Sequence, residues 1–300
     1  MTKLVVENLE VSNTSTIRDY ISLLKPRVMS LVVFSAIAGL VVAPGHIHPF
    51  IGLVAILCTS IGAGAAGCLN MWYDRDIDSI MLRTRNRPIV TGSIDESDAL
   101  AFGLLLSAIS VTCMMVCVNM LSGFLLLLSI AFYYFIYTVW LKRTTVQNIV
   151  IGGAAGAFPP MIGWASVTGN ISLDSFILFL IIFLWTPPHF WALALYKSDD
   201  YKRANIPMMP VIYGANYTKT QILLYTILMF ASTILPFITG LMGKFYLYSA
   251  VVLNLYFLYL VIRLKLEDEL KFAPKVFGFS IIYLFAIFTV MMVDTLLRGL

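Results

Sequence analysis

The chain has 300 residues, 60% of them hydrophobic and 12% charged, with a mean hydropathy of +0.89; this is too apolar for a soluble domain and reads as a polytopic membrane protein. A formal charge of +4 gives no support for nucleic acid as a partner, because in a membrane chain the placement of charge says more than its sum. Cys58, Cys68, Cys113 and Cys117 lie in apolar stretches with no CxxC spacing and no histidine nearby, the pattern of buried free thiols rather than of disulfides or a zinc site.

Taken in order, residues 1–25 form a polar arm that ends at Lys25-Pro26-Arg27 and is expected to lie along the membrane surface. Its acids Glu7, Glu10 and Asp19 separate it from a cleaved signal or an Arg-rich transit peptide and favour a prokaryotic cytoplasmic membrane. Nine apolar stretches follow, at 28–43, 49–71, 99–119, 121–141, 147–166, 172–196, 220–240, 244–263 and 275–296. Most approach the roughly 20 residues that cross a bilayer. The joints from Asn119 to Ser122 and from Gly240 to Lys244 are short enough to force tight hairpins. Nine spans place all 20 Lys and Arg residues on the N-terminal side except Lys244 and Arg298. The expected fold is therefore all-α with nine transmembrane helices, the N-terminus cytoplasmic and the C-terminus outside.

Two loops on that cytoplasmic side, 72–98 and 197–219, are long and carry acids as well as bases. They lie four spans apart, which fits four-helix halves at 26–143 and 144–263 plus a ninth helix at 275–296. Small residues crowd the second span (Gly62 to Gly67) and the fifth (Gly152 to Ala157), where they allow close helix packing.

The first loop carries the most chemistry. Asn70, Asp74 and Asp78 recur every four residues, so a helix continued through them would present one stripe of oxygen donors. Arg83, Arg85 and Arg87 follow, and Arg83 and Arg87 are also four apart, as in a clamp for phosphate oxygens. Acids beside arginines at the mouth of a membrane helix point to a bound polyanion with a divalent metal between. A solvated, topology-setting helix end would look similar. The second loop repeats the pattern on a smaller scale, with Asp199 and Asp200 before Lys202 and Arg203. Two such acid clusters around one cavity fit Mg²⁺ ions on a diphosphate leaving group. Trp72, Tyr73, Tyr133, Tyr134, Tyr137, Trp164, Trp185 and Trp191 offer π-faces to a developing carbocation or serve as interface anchors. His189 follows Pro187-Pro188, a pair expected to break or kink the sixth span. On spacing alone it is an iron ligand, a proton donor or a partner for carbonyls that the prolines free.

These residues resemble the intramembrane UbiA-type prenyltransferase superfamily, whose mark here is Asn70-xxx-Asp74-xxx-Asp78 on the second span with an acidic loop after the sixth. Within it, NMWYDRDIDSIMLRTRNRPIVTG, YTVWLKRTTVQNIVIGGAAGAFPPMIGWASVTG, LWTPPHFWALAL and DDYKRANIPMMP are similar to the haem-modifying branch. The resemblance covers nearly all of the chain after residue 20 and implies a single transmembrane prenyltransferase domain over 26–300. It implies that Asn70, Asp74 and Asp78 bind Mg²⁺-diphosphate, that Asp200 and Asp199 supply a second metal contact, and that Arg83, Arg87, Lys142, Arg143, Lys202 and Arg203 hold phosphates. Tyr196 stands where many members have the first acid of a second DxxxD. The reaction implied joins farnesyl diphosphate to haem b, with His189 facing the haem; the partners implied are the lipid bilayer and haem A synthase or a terminal oxidase. Prenyl transfer to a quinone precursor or an archaeal lipid, and a cation-coupled transporter or haem-handling protein, are the alternatives.

Overall fold

The computed structural model describes residues 15–267 and 270–299, and all regular structure among them is helical. Residues 1–14 of the expected arm lie outside the described residues. The arm's remainder forms α1 (Ile17–Leu23), started by a capping box in which the Thr16 and Asp19 side chains each accept from the other's backbone N–H. Leu23 buries against Cys68, Met71, Ile89, Ile94 and Ala99, so α1 is pinned to the end of the second long helix and the loop beyond it. α2 (Pro26–Val42) starts with proline, whose fixed φ suits a first helical turn. The two helices meet at 61°, and Lys25 sits at the corner in a left-handed conformation (φ 52°, ψ 56°).

α3 (Pro49–Tyr73) and α4 (Arg75–Ile80) meet at Asp74. α5 (Glu96–Cys117) opens with Glu96 and Asp98 against its positive end. α6 (Met120–Ala131) is capped by the Asn119 side chain, which accepts from Ser122 N at 2.9 Å. It runs without a break into a π-helical stretch, Phe132–Leu141, and a last turn, α7 (Lys142–Thr144). α8 (Asn148–Thr168) stops at Gly169, whose φ of 67° is the left-handed stop signal. α9 (Leu173–Tyr196), α10 (Ser198–Arg203), α11 (Met209–Ile238), α12 (Lys244–Leu266), a turn of 3₁₀ helix (Leu270–Phe272) and α13 (Ala273–Arg298) complete the described chain.

Eight of the described helices are long and apolar enough to cross a membrane, and the bent α1–α2 pair makes a ninth if it is counted as one span. α8 is the most enclosed, packed on α2, α6, the π-helical stretch and α9, while α13 packs on α2, α9 and α12. In lipid the contact itself must supply the attraction, and small residues let it come close. A Cβ on Gly39 of α2 would lie 2.0 Å from the Pro160 carbonyl oxygen of α8, and one on Gly163 would lie 2.1 Å from that of Ala36. α2 and α8 thus touch backbone to backbone.

Three expectations need correction. The 197–219 segment is mostly helical: α10 fills its first part and α11 begins at Met209, with a kink at Gly214 (φ 80°, ψ 171°). α9 is not broken at Pro187-Pro188; helical structure continues through both, and the Thr186 hydroxyl donates to the Ile182 carbonyl at 2.8 Å just ahead of them. The cysteines are all free, but only Cys58 and Cys68 are buried; Cys117 ends α5 exposed.

Candidate active site

Asp74 N bonds Asn70 O at 3.0 Å and Asp78 N bonds Asp74 O at 2.8 Å. Helical spacing thus passes from α3 into α4, although Asp74 itself (φ −86°, ψ 6°) marks the junction. All three stripe residues are buried, with exposures of 4% for Asn70, 0% for Asp74 and 2% for Asp78. Burial of two carboxylates demands partners, and these come from several directions. Lys142 of α7 pairs with Asp74 Oδ2, and Arg87 pairs with Asp78 Oδ2. Arg143 approaches Asp74 Oδ1 at 3.6 Å. The Asn70 amide donates to Asp74 Oδ2 at 2.7 Å and to the Thr138 hydroxyl at 3.0 Å. Asp74 Oδ1 remains buried without a hydrogen bond.

Two residues that the sequence reading did not place in the site belong to it. Lys25 donates to Asn70 Oδ1 at 2.6 Å from the α1–α2 corner. Burial, then the charges of Arg87 and Lys142, push its ammonium well below the usual lysine value. The carboxylates of Asp78 and Asp74 act on Lys25 in the opposite sense. Lys25-Pro26 at the first helix entrance was its only signal. Thr138 is the other; its hydroxyl also donates to Tyr133 O five residues back at 2.9 Å, the spacing of the π-helical stretch. The rings of Tyr133 and Tyr137 stack beside it, 5.4 Å apart, and Tyr137 lies so close over Gly152 that a Cβ there would meet its ring at 2.2 Å.

Arg143 turns mainly to Asp76, which takes both its terminal nitrogens at 2.7 Å, and its guanidinium lies 4.8 Å from the Tyr73 ring centre. The hydrogen bond from Arg143 holds the Asp76 carboxyl below its ordinary value. Asp76, off the stripe, is exposed. In the second loop Asp200 is buried but pairs with Arg203 of its own short helix, while Asp199 and Lys202 are exposed. Arg83 links the loops: burial pushes the Tyr201 phenol up, and the Arg83 guanidinium beside it pulls it back. The described residues bring no three acid, histidine or cysteine side chains together as a metal cluster.

His189 lies apart from these acids, in the body of the bundle. It is stacked on Trp185 (4.3 Å between ring centres) and on Phe277 (4.7 Å). Its Nδ1 is 2.6 Å from the Ser280 hydroxyl of α13, so its partner is not one of the carbonyls that the prolines free. Trp164 and Trp191 are core side chains, each with a buried indole N–H that has no partner.

A model of the UbiA prenyltransferase family matches residues 32–289. The chain belongs to that family. Among curated members, the protoheme IX farnesyltransferase of Rickettsia bellii is 58% identical over 275 residues, covering 91% of this chain and 92% of that protein. The protoheme IX farnesyltransferase of Rhizobium johnstonii is 56% identical over 291 residues, covering 96% and 92%. The fold also matches solved UbiA-like structures of low identity. A digeranylgeranylglyceryl phosphate synthase superposes with a TM-score of 0.78 at 18% identity over 93% of this chain and 98% of that one. A UbiA homologue from Archaeoglobus fulgidus bound to GPP and Mg²⁺ gives 0.69 at 15% identity over 91% and 99%.

Proposed function

We propose that this protein transfers the farnesyl group of farnesyl diphosphate to the 2-vinyl group of haem b, giving haem O and diphosphate, at the cytoplasmic face of a cell membrane crossed nine times. The observation that carries the reading is the Asn70–Asp74–Asp78 stripe, buried and ringed by Lys25, Arg87, Lys142 and Arg143. The choice of haem as acceptor is supported by the near full-length relatives and the His189 surroundings. Two repeats, 26–143 and 144–263, with a ninth helix at 275–296 form part of the same proposal.

The donor set suits Mg²⁺: carboxylate and amide oxygens are hard ligands, and Asp74 Oδ1 is a buried oxygen without a hydrogen bond. Asn70, Asp74 and Asp78 would hold the ion, and a pair of carboxylates suffices because phosphate oxygens complete such sites. Bound there, Mg²⁺ supplies the charge that stabilises the departing diphosphate as its bond to carbon ionises. Lys25, Arg87 and Lys142 supply N–H donors to phosphate oxygens, with Arg83 and Arg143 at the margin and Lys202 and Arg203 on the far wall. Asp200, with Asp199 beside it, is the acid offered by that wall. Tyr133 and Tyr137 present π-faces to the allylic cation. The C–O bond of farnesyl diphosphate ionises, releasing diphosphate; the vinyl group then attacks C1 of the allylic cation, and water adds to the resulting cation and loses a proton, leaving a hydroxyethylfarnesyl group.

The test is to incubate purified protein with haem b, Mg²⁺ and farnesyl diphosphate and to chromatograph the extracted haem. A later-eluting, farnesyl-bearing haem is expected together with diphosphate release. Protein that binds both substrates yet forms no such product would overturn the proposal, and transport of a cation without diphosphate release would favour the transporter alternative.

A further inference from the structure

His189 and Ser280 are held by reciprocal contacts between α9 and α13. Trp185 and His189, four apart, share one face of α9; Phe277 and Ser280, three apart, share one face of α13. The Trp185 indole N–H donates to the Ser280 carbonyl at 2.9 Å, and the imidazole is stacked between the Trp185 and Phe277 rings at interplanar angles of 18° and 26°. The ring cannot turn without displacing an aromatic on each face.

The hydrogen-bond accounting at Ser280 fixes more than orientation. Its Oγ lies 2.6 Å from the Phe277 carbonyl oxygen and 2.6 Å from His189 Nδ1. A carbonyl oxygen only accepts, so the one hydroxyl hydrogen must point at Phe277. The hydroxyl then has only lone pairs left for the imidazole, and Nδ1 must carry a hydrogen. A neutral imidazole has one N–H, which leaves Nε2 with its lone pair. Nε2 has no hydrogen-bond partner among the described residues, and it is not one of the buried atoms that lack one. The small exposure of His189, 8%, therefore reaches it.

We infer that Ser280 is a positioning residue that holds His189 as the Nδ1–H tautomer, so that Nε2 presents its lone pair as an axial ligand to the iron of the haem acceptor. An outer partner on the second ring nitrogen is the usual means by which a protein fixes a metal-ligating histidine. The inference rests on haem being the acceptor, but the tautomer is a property of the haem-free protein and is measured separately.

Full-length protein labelled with nitrogen-15 histidine, with His189→Ala used to assign its signals among the 3 histidines, is expected to show Nδ1 protonated and Nε2 bare. In Ser280→Ala the two nitrogens move toward a tautomer mixture, and Ser280→Thr restores the wild-type pattern. A wild-type ring protonated at Nε2, or unchanged shifts in Ser280→Ala, overturns the inference. In the second arm, haem b is titrated into the same proteins and followed by its absorption and resonance Raman spectra. Wild type and Ser280→Thr are expected to give a histidine-ligated spectrum. Ser280→Ala should bind haem about tenfold more weakly, at the lower end for loss of an outer partner, with a weakened iron–nitrogen stretch, while Mg²⁺-diphosphate binding is unchanged. His189→Ala should lose the histidine signature. A His189→Ala spectrum identical to wild type overturns the ligand assignment but leaves haem as acceptor; no haem binding by wild type overturns both.

Discussion

Asp74 and Asp200 each follow a long apolar helix, and each is succeeded within a dozen residues by basic side chains, but their surroundings differ. Asp74 is met by Lys142 and Arg143 from α7 and by Asn70 one turn back, with Lys25 behind Asn70. Asp200 is met by Arg203 from within its own six-residue helix. The first arrangement exists only when four separate elements have assembled, and it places two carboxylates almost wholly out of solvent. Removing one member of a buried pair strands a charge at a cost of about 3–5 kcal/mol. The second is an i,i+3 pair made within one short helix, between a buried Asp200 and a half-exposed Arg203, and it needs no distant element to form. On the proposed function, the first loop would be the fixed half of the site, built from distant elements, and the second the half whose pairing is local.

The largest expected effect tests that division directly. Asp74→Asn and Asp78→Asn should each lower haem farnesylation by about 10³-fold, the scale on which a transition-state charge contact acts, while expression and size-exclusion behaviour persist. Turnover within tenfold of wild type would make the stripe a topology signal. Asp200→Asn should fall between, losing about 10–30-fold in the same assay, because its role is shared with groups that can rearrange. A loss as deep as that of Asp74→Asn would make the two walls equal. Lys25→Met should raise the KM for farnesyl diphosphate about tenfold, or ~1.4 kcal/mol, with kcat within about threefold; a kcat loss without a KM change would remove Lys25 from the diphosphate end. Asp76→Asn should be the mildest, with activity within about twofold and stability, read from a denaturation midpoint, changed by under ~1 kcal/mol as for an exposed pair. A deep activity loss there would place Asp76 among the ligands.

The spans and the acid stripe were legible because each rests on local periodicity: apolar runs of bilayer length, and donors four residues apart on a helix that does continue. Lys25 was not, since its membership depends on a sharp corner between α1 and α2 that folds it onto Asn70 from 45 residues away. The retirement of Arg143 onto Asp76 likewise needs α7 to dock beside α4. The helix at 209–219 was hidden by Pro210 and Gly214, which read as loop residues, although proline suits a first helical turn and the chain only kinks at Gly214. Pro187-Pro188 misled in the other direction. A proline removes a backbone donor, yet the surroundings in a membrane bundle can support the helix through it, and here both prolines are buried where α9 packs densely on α8, α11 and α13. Of the histidine's surroundings, only Trp185 and Phe190 were near in sequence; Phe277 and Ser280 lie some 90 residues on.

The π-helical stretch has a consequence for length as well as for shape. Asn70 meets Thr138 and Asp74 meets Lys142, and both separations are 68 residues. α3 and the end of the α6–α7 span therefore run in the same direction, matched rung for rung like two rulers laid side by side. Each ruler advances by four residues between rungs, although the π-helical one takes in more than four residues per turn. A single residue deleted between Thr138 and Lys142 would leave every side chain of the site in the sequence and put the lysine out of step with its aspartate. The contacts of Asn70 with Thr138 and of Asp74 with Lys142 thus depend on a count of residues as much as on their identities.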